Sequence, residues 1–171
     1  MSVARAELPQ DCLLLKHNQP NDYLDCFAVD IPAVVNFEDY VAAFYTTWLF
    51  KCERFVLRLA GLPSTDQQAL RLGRGDLQAF AAWRLEARRP DQLLMRDVTG
   101  ATSSWLMAVS NATGTRLYFG SGVKARKRQA DGSARLPPGY RVLMGLHVFY
   151  SQALLAAAAR KLRRELHAQR T

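Results

Sequence analysis

The sequence predicts an α+β domain, and three patterns carry that prediction. Between Asn36 and Leu59, apolar residues recur at three- and four-residue spacing, as one face of a helix requires. From Leu77 to Lys127 the pattern changes to runs of strand length separated by turn-rich places. From Val142 to Ala159 no residue is charged, which suits a long helix that is apolar nearly all round. At 171 residues the chain suffices for one domain with a sizeable buried core. We divide it into an N-terminal extension, residues 1–20, and a single domain, residues 21–171.

The opening residues are polar and turn-like around a short apolar patch, Cys12–Leu15. Tyr23–Asp30 then reads as a strand, ended by Pro32. Asn36 suits a helix N-cap, with Glu38 and Asp39 facing the positive end of the helix dipole. Val41, Phe44, Tyr45, Trp48, Leu49, Cys52, Phe55, Val56 and Leu59 form the apolar face of one helix of about six turns. Gly61 caps it and Pro63 blocks its continuation. A shorter helix starts at Ser64, with capping-box spacing to Gln67, and stops at Gly73-Arg74-Gly75.

Phe80–Arg88, Gln92–Val98, Ser103–Ser110 and Arg116–Arg126 are the four strand-length runs that follow. Pro90-Asp91, Thr99-Gly100 and Asn111–Gly114 separate them, so the expected arrangement is an antiparallel meander. Pro137-Pro138 suits the start of the last helix. The uncharged run in that helix is at the lower limit for crossing a bilayer. Gly145, His147, Ser151, Gln152 and four successive alanines make it a poor membrane span, and a helix buried against a sheet is expected instead.

With 49% hydrophobic and 10% aromatic residues the chain is not a disordered one. Its net charge of +8 is unevenly placed. From Lys124 onward, eleven basic residues face only Asp131 and Glu165, a local charge of +9, while residues 1–123 sum to −1. An anionic partner would therefore meet the C-terminal third. Cys12, Cys26 and Cys52 are odd in number and lack a C-x-x-C pair, which argues against a disulfide framework or a zinc site and suits a reducing interior. Residues 1–12 have no apolar core of a signal peptide, so the cytoplasm is the expected location. No pattern calls for a metal or a cofactor.

Strand, two helices, antiparallel meander and long final helix follow the order of the helix-grip fold. The chain thereby resembles the START-like superfamily of polyketide cyclases, pathogenesis-related proteins and lipid-transfer domains. Trp83-Arg84-Leu85-Glu86, Leu93–Asp97, Ser104–Met107 and Thr115–Ser121 are similar to an uncharacterised bacterial family near it. These are packing and turn motifs and define no chemistry. The resemblance implies a sheet wrapped around the last helix with a cavity between them. Superfamily members usually have six strands after the two helices, where four are read here, which implies a smaller sheet and less room for ligand.

His147 is the one histidine inside an expected core element; it shares a helix face with Met144, Tyr150 and Ser151. It suits a general base or the anchor of a polar ligand head. A core histidine bonded to a neighbour is the plainer reading. Glu86 and Asp97 lie among Arg84, Arg88 and Arg96 on neighbouring strands; cross-strand pairing is the plainer reading for them than a ligand site. Trp83, Met95, Trp105, Met107, Phe119 and Trp48 suit the lining of an apolar pocket and equally an ordinary filled core. Gly120-Ser121-Gly122 is neither a nucleophile elbow nor a phosphate loop, and its glycines suit crowding in a strand.

The basic residues 124–135 and 160–164 lack the aromatic platforms of a nucleic-acid module and read first as solvated cations. The expected function is binding of a small, mostly apolar molecule between sheet and last helix. The pocket would use Trp83, Met95, Trp105, Met107, Phe119, Met144, His147 and Tyr150. Two alternatives stand beside it: a cyclase- or hydratase-like enzyme, and an interaction protein using the basic end on an anionic membrane or nucleic acid. Oligomeric state is not expressed in the sequence.

Overall fold

A computed structural model of the chain describes residues 2–124 and 140–168, the side chains of 140–144 excepted. The basic cluster Arg126, Lys127, Arg128 and Arg135, the Pro137-Pro138 helix start and the Met144 side chain lie outside the described residues. The described chain is α+β. The elements are β1 (Ala4–Arg5), α1 (Leu13–Lys16), β2 (Tyr23–Ile31), α2 (Phe37–Tyr45), α3 (Trp48–Leu59) and α4 (Asp66–Arg74). There follow β3 (Ala79–Phe80), β4 (Trp83–Arg89), β5 (Gln92–Asp97), β6 (Thr102–Asn111), β7 (Gly114–Val123) and α5 (Tyr140–Ala168).

Among the described residues the strands form one open antiparallel sheet of seven, in the order β1-β2-β7-β6-β5-β4-β3. The meander β4–β7 forms as its turns demand. The first long strand, β2, then joins its far side by pairing with β7 from Tyr23↔Val123 to Ile31↔Thr115. Because successive side chains point to opposite faces, the sheet has two apolar surfaces. Phe27, Val29, Met95, Leu106, Leu117 and Phe119 face α2, α4 and α5 in the main core. The centre of that core is a set of rings, with Phe44 5.3 Å from Tyr45 and 4.9 Å from Phe119, and Tyr45 5.2 Å from Phe80. Each buried ring contributes about 2–3 kcal/mol by removal of apolar area from water.

The other surface carries a second, smaller core of Cys26, Leu94 and Trp105, closed by Cys12, Leu13 and Leu14. Residues 1–20, expected as an extension, are thus part of the fold: β1 extends the sheet edge and α1 covers its back. The Leu13 N–H donates to Gln92 Oε1 at 2.8 Å, and the Trp105 indole donates to the same oxygen at 3.0 Å. Gly120 is what lets this lid close. A Cβ there would stand 2.8 Å from the Trp105 ring and 2.9 Å from Leu14.

Three expected elements differ from those observed. The single long helix divides into α2 and α3 at Thr46-Thr47. The Thr46 hydroxyl donates to Ala42 O at 2.6 Å, and Thr47 Oγ accepts from Phe50 N at 3.1 Å, starting a new helix. The change of course turns Phe50 and Arg54 inward and leaves Trp48, Phe55, Val56 and Leu59 62–75% exposed. The shorter helix begins one residue later than expected, with a full capping box between Thr65 and Gln68 and left-handed Gly75 at its end. The run Phe80–Arg88 is interrupted at Ala81, whose φ is +52°, so Phe80 belongs to the short edge strand β3.

Candidate functional site

Polar side chains gather in one place inside the main core, under the first half of α5. Asp25 and Ser121 are register partners on β2 and β7, and Ser104 on β6 is the next partner in the same row. Alternation points all three toward the helices rather than toward Trp105. The Asp25 side chain is fully buried and accepts from both Ser121 N, at 3.1 Å, and Ser121 Oγ, at 2.7 Å. His147 of α5 completes the group: its Nε2 lies 2.7 Å from Ser121 Oγ and 3.3 Å from Asp25 Oδ2.

Proton bookkeeping assigns the imidazole. The Ser121 hydroxyl has one hydrogen and gives it to Asp25, so Ser121 Oγ accepts from His147, and His147 Nε2 carries a hydrogen. In the neutral ring Nδ1 is then the acceptor nitrogen. The imidazole is about a third exposed (31%), so the group has one open side. Burial alone would push the Asp25 carboxyl up, but hydrogen bonds from His147 and Ser121 and the His147 charge outweigh it and hold the carboxyl below its ordinary value.

One turn along α5, Tyr150 donates to Glu53 Oε2 of α3 at 2.6 Å. Burial raises the Glu53 carboxyl, against the opposing pull of Tyr150 and Trp83, and it raises the Tyr150 hydroxyl as well. The Trp83 indole N–H points to this carboxylate without a hydrogen bond of normal geometry. The Tyr45 hydroxyl leans in the same way toward Ser104. Ser151, four residues beyond His147 on the same helix face, has a buried hydroxyl with no partner among the described residues. Such groups are rare in folded proteins because each costs about 1–3 kcal/mol to desolvate. Three in one seam is a chemical signature, and it extends from β2 to α5.

The expected pocket residues divide between the two faces. Trp83, Met95, His147 and Tyr150 border the seam or the core beside it, Met95 being the register partner of Ser104. Phe119 lies on the same face, packed against Phe44. Trp105 and Met107 belong to the opposite face, so they do not line a space between sheet and α5. The correction has a simple cause: β6 alternates, and Leu106 and Ala108 take the helix-facing positions. Glu86 also faces outward, bonded to Arg96 Nε at 2.5 Å, in the cross-strand pairing that was the plainer reading. Asp97 accepts from Thr99, Ala101 and Thr102 in its own turn.

Asp25, Glu53 and Ser121 are not among the residues that the sequence alone marks as a site. Asp25 alternates with apolar residues on a strand otherwise read as core, and a carboxylate in that setting is the signal that could have found it.

Two described clefts lie elsewhere. The larger, about 730 Å³, runs between Ile31–Ala33 and the C-terminal turns of α5 at Arg160, Arg163, Arg164 and His167. The smaller, about 530 Å³, lies by Asp30 and Arg116 on the outer side of the β2–β7 pair. Neither borders His147.

In class, the molecule is an α+β protein with an open antiparallel sheet, α2, α4 and α5 on one face, α1 on the other, and a polar seam beneath the last helix. No protein-family model matches the chain, and no curated protein or solved structure matches it. Among the described residues no helix is long and apolar enough to cross a membrane.

Proposed function

We propose that the protein binds a small amphipathic molecule at the seam under α5, with the polar group of the ligand on His147 and its apolar part against the core residues beside Trp83 and Met95. The single observation that carries this reading is the convergence of Asp25, Ser121 and His147 next to the buried, unpaired Ser151 hydroxyl. A ligand hydroxyl or carbonyl would supply the missing hydrogen bonds, and the partly exposed imidazole gives it a way in. The finer fold proposed with it is helix-grip, in keeping with the START-like resemblance: a sheet with a long C-terminal helix across one face. A cytoplasmic location belongs to the same proposal and is supported by three free cysteines, two of them buried.

A second reading has its own observation. Asp25 stands behind the protonated nitrogen of His147, the arrangement by which a carboxylate fixes the ring's tautomer and orientation and leaves the opposite ring nitrogen as the acceptor. Acid–base chemistry of the cyclase or hydratase type would use that nitrogen.

Native mass spectrometry of freshly purified protein tests the first reading. A co-purified small molecule should appear on the wild type and be lost from His147→Ala and Ser151→Leu. Protein that carries no adduct, and whose imidazole resonance is unmoved by a panel of amphipathic hydroxy and keto compounds, would remove the proposal.

A further inference from the structure

The apolar stripe on α3 faces outward, and it continues onto α5. Trp48 is 69% exposed, Phe55 62%, Val56 64% and Leu59 75%, with Leu146 at 61% and Phe149 at 70% on α5. Four of these six recur at helical spacing on α3, and Leu146 and Phe149 are one turn apart on α5. The two stripes flank the seam where Tyr150 bonds Glu53: Val56 is three residues beyond Glu53, and Leu146 four before Tyr150. A soluble monomer does not ordinarily gather so many large apolar side chains on one face.

Charge decides what covers it. Lys51 and Arg58 are exposed along one flank of the α3 stripe. The one acid of α3, Glu53, is turned inward onto Tyr150. Asp66 accepts from both Lys51, at 2.5 Å, and Arg54, at 2.6 Å, so one carboxylate stands against two cations there. A second copy on this face would bring like charges together, whereas a surface of anionic headgroups would be attracted and its acyl region would take the apolar residues. A helix with Trp, Phe and Leu on one face and Lys and Arg beside it is the pattern of an element lying in a membrane interface.

We propose that the outward face of α3, with Leu146 and Phe149 of α5, docks on an anionic lipid bilayer. The inference is independent of the reading of the His147 seam, since none of the residues that would touch lipid belongs to the seam.

The test is co-sedimentation of the full chain with vesicles of phosphatidylcholine alone and of phosphatidylcholine with phosphatidylglycerol. The anionic vesicles should bind at least roughly tenfold more tightly, and added salt should weaken that binding. Trp48 emission should shift to the blue on binding, because Trp105 is fully buried and Trp83 half-buried. Phe55→Ser with Leu59→Ser should reduce binding by about tenfold or more, and Arg58→Gln by about fivefold. Leu70→Ser, an exposed leucine on α4, should leave it unchanged. All these positions are exposed, and unchanged thermal melting confirms that the variants fold. Equal binding to both vesicle types, no binding to either, or full binding by the Phe55/Leu59 variant would overturn the proposal. So would a wild-type dimer in sedimentation equilibrium that the same variant converts to monomer, since the face would then be an interface between copies.

Discussion

Ser121 Oγ lies 2.7 Å from His147 Nε2, and this contact ties the last strand of the sheet to the helix that crosses it. The two residues are 26 positions apart, and Asp25, which holds them both, is 96 positions from Ser121. The sheet brings β2 and β7 side by side, so a carboxylate from one end of the chain orients a histidine near the other.

Asp25 makes stability sensitive to acid. Its carboxyl is held below the ordinary value of 3.8, so its stabilising contribution is complete above that value and fades as pH falls through the lowered one. Asp25→Ala should cost about 1–3 kcal/mol at neutral pH, because Ser121 N–H and Oγ–H lose their acceptor. In chemical denaturation the gap between wild type and variant should narrow as the solution is acidified below 3.8.

Glu53 has the opposite sign. Burial raises its carboxyl above the ordinary 4.5, so the folded state favours the protonated form, and that contribution is lost as pH rises through the raised value. Glu53→Gln keeps an acceptor for Tyr150 and removes the buried charge. Its melting temperature should rise by about 2–4 °C at neutral pH and show no gain at pH below 4.5.

Gly120→Ala should destabilise by about 1–3 kcal/mol through overpacking, since the new methyl meets Trp105 and Leu14 inside 3 Å. Gly120→Ala and Leu14→Ala together should cost less than the sum of the two single changes, because the shortened side chain makes room for the new methyl. Urea titration of the three proteins measures both effects.

Arg54 joins α3 to the start of α4, donating to Ser64 Oγ at 2.9 Å, Ser64 O at 2.7 Å and Asp66 at 2.6 Å. Its side chain is 9% exposed. Arg54→Met should cost about 2 kcal/mol, with salt having little influence because two of the three acceptors are uncharged.

Cysteine reactivity should separate the two faces of the sheet. Burial raises Cys12 and pushes Cys26 up to about 12, whereas Cys52 is exposed on α3. A disulfide reagent should titrate one thiol per native chain and all three cysteines only after unfolding.

Much of the fold was legible along the chain. The meander follows from turn residues between strand-length runs, the start of α4 to within one residue from Ser64 and its stop from Gly73-Arg74-Gly75, and the confinement of positive charge to the last third from counting. Alternation says which residues share a face, however, and not which face a helix will cover. Trp105 and Phe119 are both large and apolar and both end fully or almost fully buried, yet on opposite sides of one sheet. Only the packing of α1 on one surface and α2, α4 and α5 on the other decided that.

The same limit explains α3. Helical spacing correctly marked Trp48, Phe55, Val56 and Leu59 as one face, but a break at Thr46-Thr47 turned that face to solvent. What the sequence determined by itself is local: periodicity, caps, turns and the placement of charge, all of which act over a few residues. The tertiary structure decided the partners of each face and the meeting of Asp25, Ser121 and His147. Those contacts join residues far apart in the chain, and their geometry exists only once strand pairing has placed β2 beside β7 and laid α5 across them.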